Sequence, residues 1–455
     1  MRQRGAAILS GEIWRERAGT WLAGAAVGAA AVGFAWLVDA ATSILHAGLE
    51  VSRWLPLAVT PVAFAGIALV TARHFPAAAG SGIPNAMAAL RAQSPATLEK
   101  LFDLRTILGR VLFSAVAVLC GASVGREGPT VHIGAAIAYR FGRWLPRRDE
   151  PSHRRALILA GGAAGIAAAF NTPLAGIVFA IEELARSYEA RASGTTLVAV
   201  LIAGVVSLAV VGEYTYFGHP QVAAAAHELL LPAAAVGIAG GLLGGAFSRG
   251  VLGLSGGPGS ISRWRRARPV VFAFACGLTV AVAGVLSGGS AFGTGYEPAR
   301  AILEGGQTSL AFVPAKFVAT LASLLAGIPG GLFAPSLAIG AGVGQLLGFL
   351  PGLTDIPGLA VLGTCAYLTG VTQAPMTSFI IVMEMTGLHE LVLPLMVAAL
   401  VAAGTSRLVS DSLYRGLADQ LLASHEGDAD ATGAPPAGVK PSGGASPPHS
   451  APPSA

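Results

Sequence analysis

The stretch SVGREGPTVHIG, Ser123 to Gly134, sets Arg126 and Glu127 side by side where one apolar run has ended and another is about to begin. Gly125 and Gly128 flank the pair, and Pro129 closes the turn. Proline suits the first turn of a helix, because the N–H it lacks has no partner there. The turn therefore reads as a helix N-terminus. Such an end exposes up to four unpaired N–H groups and about half a positive charge, so it attracts anions. A carboxylate in that turn stands where a bound anion would go. Ionised, Glu127 occupies the site itself; protonated, it loses its charge and can swing away, which makes it both gate and proton carrier. The competing reading is a surface glutamate paired with Arg126.

The surroundings favour a membrane. Of the 455 residues 53% are hydrophobic and 12% charged, against roughly 25% charged in soluble domains. Apolar runs recur at Thr20–Val38, Pro56–Ala72, Val111–Cys120, Thr195–Val211, Pro269–Leu286, Leu310–Ile328 and Leu391–Ala403, which reads as an all-α polytopic membrane protein. Arg2, Arg4, Arg15 and Arg17 precede the first run and predict a cytoplasmic N-terminus. The formal net charge of +5 comes from Arg-rich connections and speaks to membrane orientation, not to nucleic acid. Three cysteines, Cys120, Cys276 and Cys365, lie in apolar contexts and offer neither a disulfide frame nor a metal site. No cofactor is implied. The predicted organisation is an N-terminal segment 1–19, a membrane domain 20–422 in two related halves of about 20–215 and 228–422, and a disordered Pro/Gly/Ala/Ser-rich tail 423–455.

The two halves follow from three peptide pairs in the same order. GSGIPNAMAAL (80–90) resembles GTGYEPARAIL (293–303), GREGPTVHIGA (125–135) resembles GLFAPSLAIGA (331–341), and NTPLAGIVFAIEEL (171–184) resembles QAPMTSFIIVMEMT (373–386). In the third pair a proline and a glutamate coincide, Pro173 with Glu182 and Pro375 with Glu384. Residues 140–155 hold six arginines, while their counterpart 342–364 holds no Lys or Arg, so equivalent loops fall on opposite sides of the bilayer and the repeat is inverted. Apolar pieces such as 131–141 and 174–181 are shorter than the roughly 20 residues a helix needs to span. Broken helices at matching places in inverted repeats predict a binding site at the midplane. Each Gly-rich turn, taken alone, is equally compatible with close helix contact.

GSGIP (80–84), GREGP (125–129) and GLFAP (331–335) are similar to the three signature peptides of the CLC chloride channel and chloride/proton antiporter family, and the likeness runs from about residue 20 to 422. The resemblance implies tilted, partly broken helices in two inverted halves, and a homodimer with one pore per subunit in the inner (plasma) membrane, both termini cytoplasmic. It implies chloride and protons as the transported ions. Ser81 matches the hydroxyl donor to the central anion, with Gly80 and Gly82 giving backbone access. Glu127 matches the external gating glutamate. Leu332 and Phe333 match the positions whose amides line the anion site, Phe333 narrowing its inner side, and Tyr414 matches the tyrosine that closes the site from the cytoplasm. Glu183 matches the internal proton-transfer glutamate of the antiporters, so the resemblance implies exchange of chloride for protons. Ser81 and the intact GREGP point to chloride over nitrate and fluoride.

The nearest alternative is a passive chloride channel of the same fold. An enzyme is not expected: an intramembrane hydrolase built on Ser81 or Ser290 finds no recognisable motif with His132 or His389. Without the resemblance, Tyr414 reads as an interfacial anchor and Glu183 as a helix-end acid near water. Arg110, inside RTILGRVLFSAV, reads as an intramembrane cation that raises the local positive potential or pairs with a buried acid, or equally as a cation near a helix end.

Overall fold

The computed structural model describes residues 11–431 apart from 93, 146–149, 186–193, 213, 214, 219 and 354. Arg2, Arg4, Arg147, Arg148 and residues 432–455 of the tail lie outside the described residues. In the first half the helices are α1 (Gly11–Val51), α2 (Leu55–His74), α3 (Ile83–Arg91), α4 (Pro95–Leu101), α5 (Leu104–Leu119), α6 (Glu127–Gly142), α7 (Pro151–Phe170), α8 (Pro173–Phe179) and α9 (Gly194–Val211). A π-helical turn, Ala180–Ala185, continues α8. In the second half they are α10 (Leu230–Gly256), α11 (Ser260–Ala267), α12 (Pro269–Leu286), α13 (Tyr296–Leu303), α14 (Phe312–Leu325), α15 (Phe333–Leu347), α16 (Ile356–Thr372), α17 (Pro375–Thr386) and α18 (Val392–Val409). The last described helix is α19 (Leu413–Ala431), which runs on past Leu422, where the change in composition suggested that the ordered chain would stop.

Proline starts many of these helices. Pro151, Pro173, Pro269, Pro357 and Pro375 all stand in first turns, where a missing N–H costs nothing. Among the described residues six helices are long and apolar enough to cross a bilayer. At about 1.5 Å per residue, α1 is about 60 Å long, so it can cross only at a tilt. The helices that matter most here, α3, α6 and α15, have 9, 16 and 15 residues, too few to span on their own.

The repeat predicted from three peptides governs the whole assembly. α6 lies on α7 as α15 lies on α16, α1 on α9 as α10 on α18, and α7 on α9 as α16 on α18. Asn171 and Gln373 end α7 and α16 in the left-handed region, at φ 56° and 58°, the two non-glycine residues with positive φ among those described. They occupy the same place in the third peptide pair.

Contacts between the halves are reciprocal, as a two-fold axis requires. Gly125 N donates to Gly331 O at 2.8 Å and Gly331 N donates to Gly125 O at 2.6 Å. Glu182 accepts from Met376 N and Thr377 N at the start of α17, at 3.1 and 2.7 Å. Its counterpart Glu384 accepts from Leu174 N and Ala175 N at the start of α8, at 3.2 and 2.7 Å. Each acid thus satisfies amides that would have no intrahelical partner and meets the positive end of the other half's helix. The nine-residue spacing from proline to glutamate exists because each glutamate ends one helix and caps the facing one.

Candidate anion-binding site

Three helix N-termini converge where the halves touch. α3 begins after Gly82, α6 after Arg126 and α15 after Leu332, and none of the three has a side-chain cap. Their first amides are therefore open to another acceptor. Gly128 marks the meeting point: a Cβ there would stand 2.6 Å from Ser81 Oγ and 3.0 Å from Gly331 Cα. GSGIP, GREGP and GLFAP are brought together at one glycine. Gly82, at φ +94°, adopts a backbone that other residues reach only under strain, and a Cβ on it would lie 2.6 Å from Gly128 O.

Glu127 is fully buried. Its Oε2 accepts from Ala334 N at 3.4 Å, while Oε1 has no hydrogen-bond partner among the described residues. The carboxylate at the head of the first half's helix thus meets one amide, that of Ala334, at the head of the second half's helix. Arg126 points elsewhere, with Nη1 at 3.0 and 3.1 Å from the two oxygens of Asp39 on α1. Because Glu127 is buried, the surface-glutamate reading does not describe it, although Arg126 remains its charged neighbour. A cavity of about 880 Å³ opens beside Arg126, lined by Asp39, Tyr216, Gly293, Tyr296 and Glu297.

The remaining predicted residues gather around the same point. Ser81 is buried and its Oγ has no hydrogen-bond partner among the described residues. Leu332 and Phe333 are buried at the start of α15. Tyr414 is also buried, not interfacial; its ring stacks on Phe333 at 6.1 Å and 15°, and Ser81, Glu127 and Glu183 are its electrostatic neighbours. Glu183 is 1% exposed on the π-helical turn, so the helix-end acid near water does not describe it. π-Helical turns inside α-helices are frequent at functional positions.

Two walls of the site carried no sequence signal. Phe170 and Phe179 close on Phe333 at 6.0 and 6.1 Å between ring centres, and both are buried. They come from α7 and α8, distant in sequence from GLFAP, and a phenylalanine in an apolar run is indistinguishable from ordinary core.

Arg110 is fully buried, and its partners are main-chain carbonyls, not the buried acid that was one expectation. Nη1 donates to Gly80 O at 2.8 Å and Nη2 to Ala77 O at 2.7 Å, holding the GSGIP loop from behind. Lys316 repeats the device in the second half, with Nζ donating to Ala291 O at 3.1 Å and Gly293 O at 2.7 Å. Each cation precedes the glycine of its turn by fifteen residues, 110 before 125 and 316 before 331. Among the described residues no ion pair joins either to a carboxylate. A charge in such a place is costly unless its donors are satisfied, and loop carbonyls satisfy them here.

A histidine and a serine weighed for hydrolysis each meet a main-chain carbonyl among the described residues. His132 Nε2 lies 3.0 Å from Leu101 O, and Ser290 Oγ donates to Ser287 O at 2.9 Å. Cys276 and Cys365 are buried, whereas Cys120 is half-buried.

A family model described as "Voltage gated chloride channel" matches residues 63–407. The fold is similar to solved structures of a slow cyanobacterial Cl⁻/H⁺ antiporter (TM-score 0.76, 23% identity, covering 90% of this chain and 99% of that one). It is also similar to a CLC-type fluoride/proton antiporter (0.74, 24%, 88% and 96%) and to a eukaryotic CLC transporter (0.70, 23%, 89% and 74%). At these identities the likeness is one of fold.

Proposed function

The chain belongs to the voltage-gated chloride channel family, the matched segment taking in most of its length, and on that premise we propose that it exchanges chloride for protons across the membrane, with Glu127 as gate and proton carrier. The observation that carries this reading is the seat of Glu127: a buried, titratable carboxylate on the amide of Ala334, at the head of α15. A chloride ion held by the neighbouring amides of Leu332 and Phe333 would compete with it for the same helix end.

The cycle follows from that competition. Ionised, Glu127 holds the end of α15 and keeps anions out. Protonated, it loses the charge that favoured the amides and withdraws. Chloride then occupies the space between the N-termini of α3, α6 and α15, with the amides of Leu332 and Phe333, the Ser81 hydroxyl and the backbone at Gly80 and Gly82 as its contacts. Partial charges bind it tightly enough to enter and loosely enough to leave. Tyr414 and Phe333 close the cytoplasmic side. Protons reach Glu127 through Glu183, past Phe170 and Phe179, so the two ions share a path only at Glu127. In this reading the protein is a homodimer with one such path per subunit, and both termini are cytoplasmic, a placement that the arginines ahead of the first apolar run, Arg15 and Arg17 among them, favour for the N-terminus.

Reconstituted vesicles test it. A chloride gradient imposed across the membrane should drive protons uphill at a fixed ratio to chloride, and fluoride in place of chloride should support slower exchange. Chloride flux with no accompanying proton movement would make the protein a passive channel.

A further inference from the structure

A second large cavity, about 1160 Å³, lies away from the ion path between α1, α5 and α6. Its two ends differ in chemistry. Along the length it is apolar, with Phe34 from α1, Leu108 and Val111 from α5, and Ile133 and Ile137 from α6. At the C-terminal end of α6 it is basic, lined by Arg140, Arg143 and Arg154. Among the described lining residues the acid is Glu99, 3.4 Å from Arg143. Arg154 Nε is buried with no hydrogen-bond partner among the described residues. Trp144, at the same end, is 74% exposed, and Leu104 and Leu108 on the rim are 50% and 59% exposed.

We propose that this groove binds an anionic phospholipid, its phosphate on Arg140, Arg143 and Arg154 and part of an acyl chain along α5 and α6. Charge complementarity and shape argue for that occupant together. Three arginines against one glutamate want an anion, and a basic pocket between membrane helices on the cytoplasmic side is where anionic headgroups bind. A small free anion would leave the apolar length of the groove unused. From Ile133 to Arg140 the helix rises about 10 Å, which suits a lipid with its headgroup at the membrane surface. An exposed tryptophan belongs at that level. The cavity also exceeds the roughly 300–1,000 Å³ of small-molecule pockets. Occupied, it braces the far end of the helix whose first residue is Glu127.

Native mass spectrometry of the delipidated full-length protein, with phosphatidylglycerol or phosphatidylcholine added at equal concentration, tests the site. Phosphatidylglycerol should be retained over phosphatidylcholine by about tenfold, a difference of about 1.4 kcal/mol. The triple variant R140Q/R143Q/R154Q should lose that preference. Ile137→Trp, which fills the apolar length, should lower retention of the lipid from the other end of the groove, so that a folding defect in one variant leaves the other informative. Glycerol 3-phosphate, which has the phosphate and no chains, should not displace the lipid. Equal retention of the two lipids would overturn the proposal, as would displacement by glycerol 3-phosphate. An equal loss in R263Q/R266Q on α11, a basic helix remote from the groove, would also overturn it by tracing binding to general surface charge.

Discussion

The turn that opens α6 and the turn that opens α15 share a backbone and differ in their side chains, and the difference separates what holds an anion from what moves a proton. Both turns follow a glycine, Gly125 or Gly331, and those two glycines exchange backbone hydrogen bonds. Both helices start without a side-chain cap, and both are preceded at the same interval by a buried cation that grips loop carbonyls. GREGP then adds Glu127, whereas GLFAP has Phe333 at the head of its helix. The shared part, open amides at the end of a dipole, suits any halide. The part found in one half alone is titratable. An anion site needs the frame, and coupling to protons needs the acid.

Glu127→Gln breaks the asymmetry most completely, since it leaves two turns with no titratable group. Proton movement driven by a chloride gradient should fall to the leak of empty vesicles while chloride flux continues, measured with pH and chloride electrodes on the same vesicles. Persistent proton transport in this variant would remove Glu127 from the proton path.

The paired cations allow a finer cut. Arg110→Met leaves Gly80 O and Ala77 O without their donor and withdraws positive charge from behind the GSGIP loop, so chloride turnover should drop by about tenfold and stability by about 1–3 kcal/mol. Lys316→Met should cost similar stability, because Ala291 O and Gly293 O are orphaned in the same way. Its loop does not carry Ser81, and turnover should stay within about twofold. Thermal unfolding alongside flux separates the two effects. Equal flux loss in both variants would mean that buried charge acts on the whole protein and not on one loop.

Smaller again are the reciprocal caps. Glu182→Gln and Glu384→Gln each weaken two charge-assisted bonds at a helix N-terminus, and each should cost about 1 kcal/mol. Related by the same axis, they should cost the same, and thermal melts of the two variants side by side check it.

Much of this was legible in the sequence because the repeat kept its glycines, prolines and glutamates in order. Those residue types are fixed by backbone geometry, which a single chain displays. The three signature turns and their convergence follow from that geometry. What stayed hidden was set by proximity between segments far apart in the chain. Phe170 and Phe179 look like core until Phe333 is placed between them. Asp39 gives no sign that it holds Arg126, so GREGP alone permits a surface pair. Arg110 stood out as a cation in an apolar run, but its partners are main-chain carbonyls, which sequence cannot single out. Glu182 and Glu384 advertised their spacing from proline and not its reason, since each completes the other half's helix.

Chloride binding by titration calorimetry on the native protein and on Glu127→Gln, from neutral to acid pH, tests directly whether a carboxylate and a halide contend for one set of amides. In the native protein the affinity should rise as pH falls, because protonation removes the competing charge. A tenfold gain corresponds to about 1.4 kcal/mol. In Glu127→Gln the affinity should already be high at neutral pH and should not change on acidification. Equal affinities in the two proteins across that range would contradict the account.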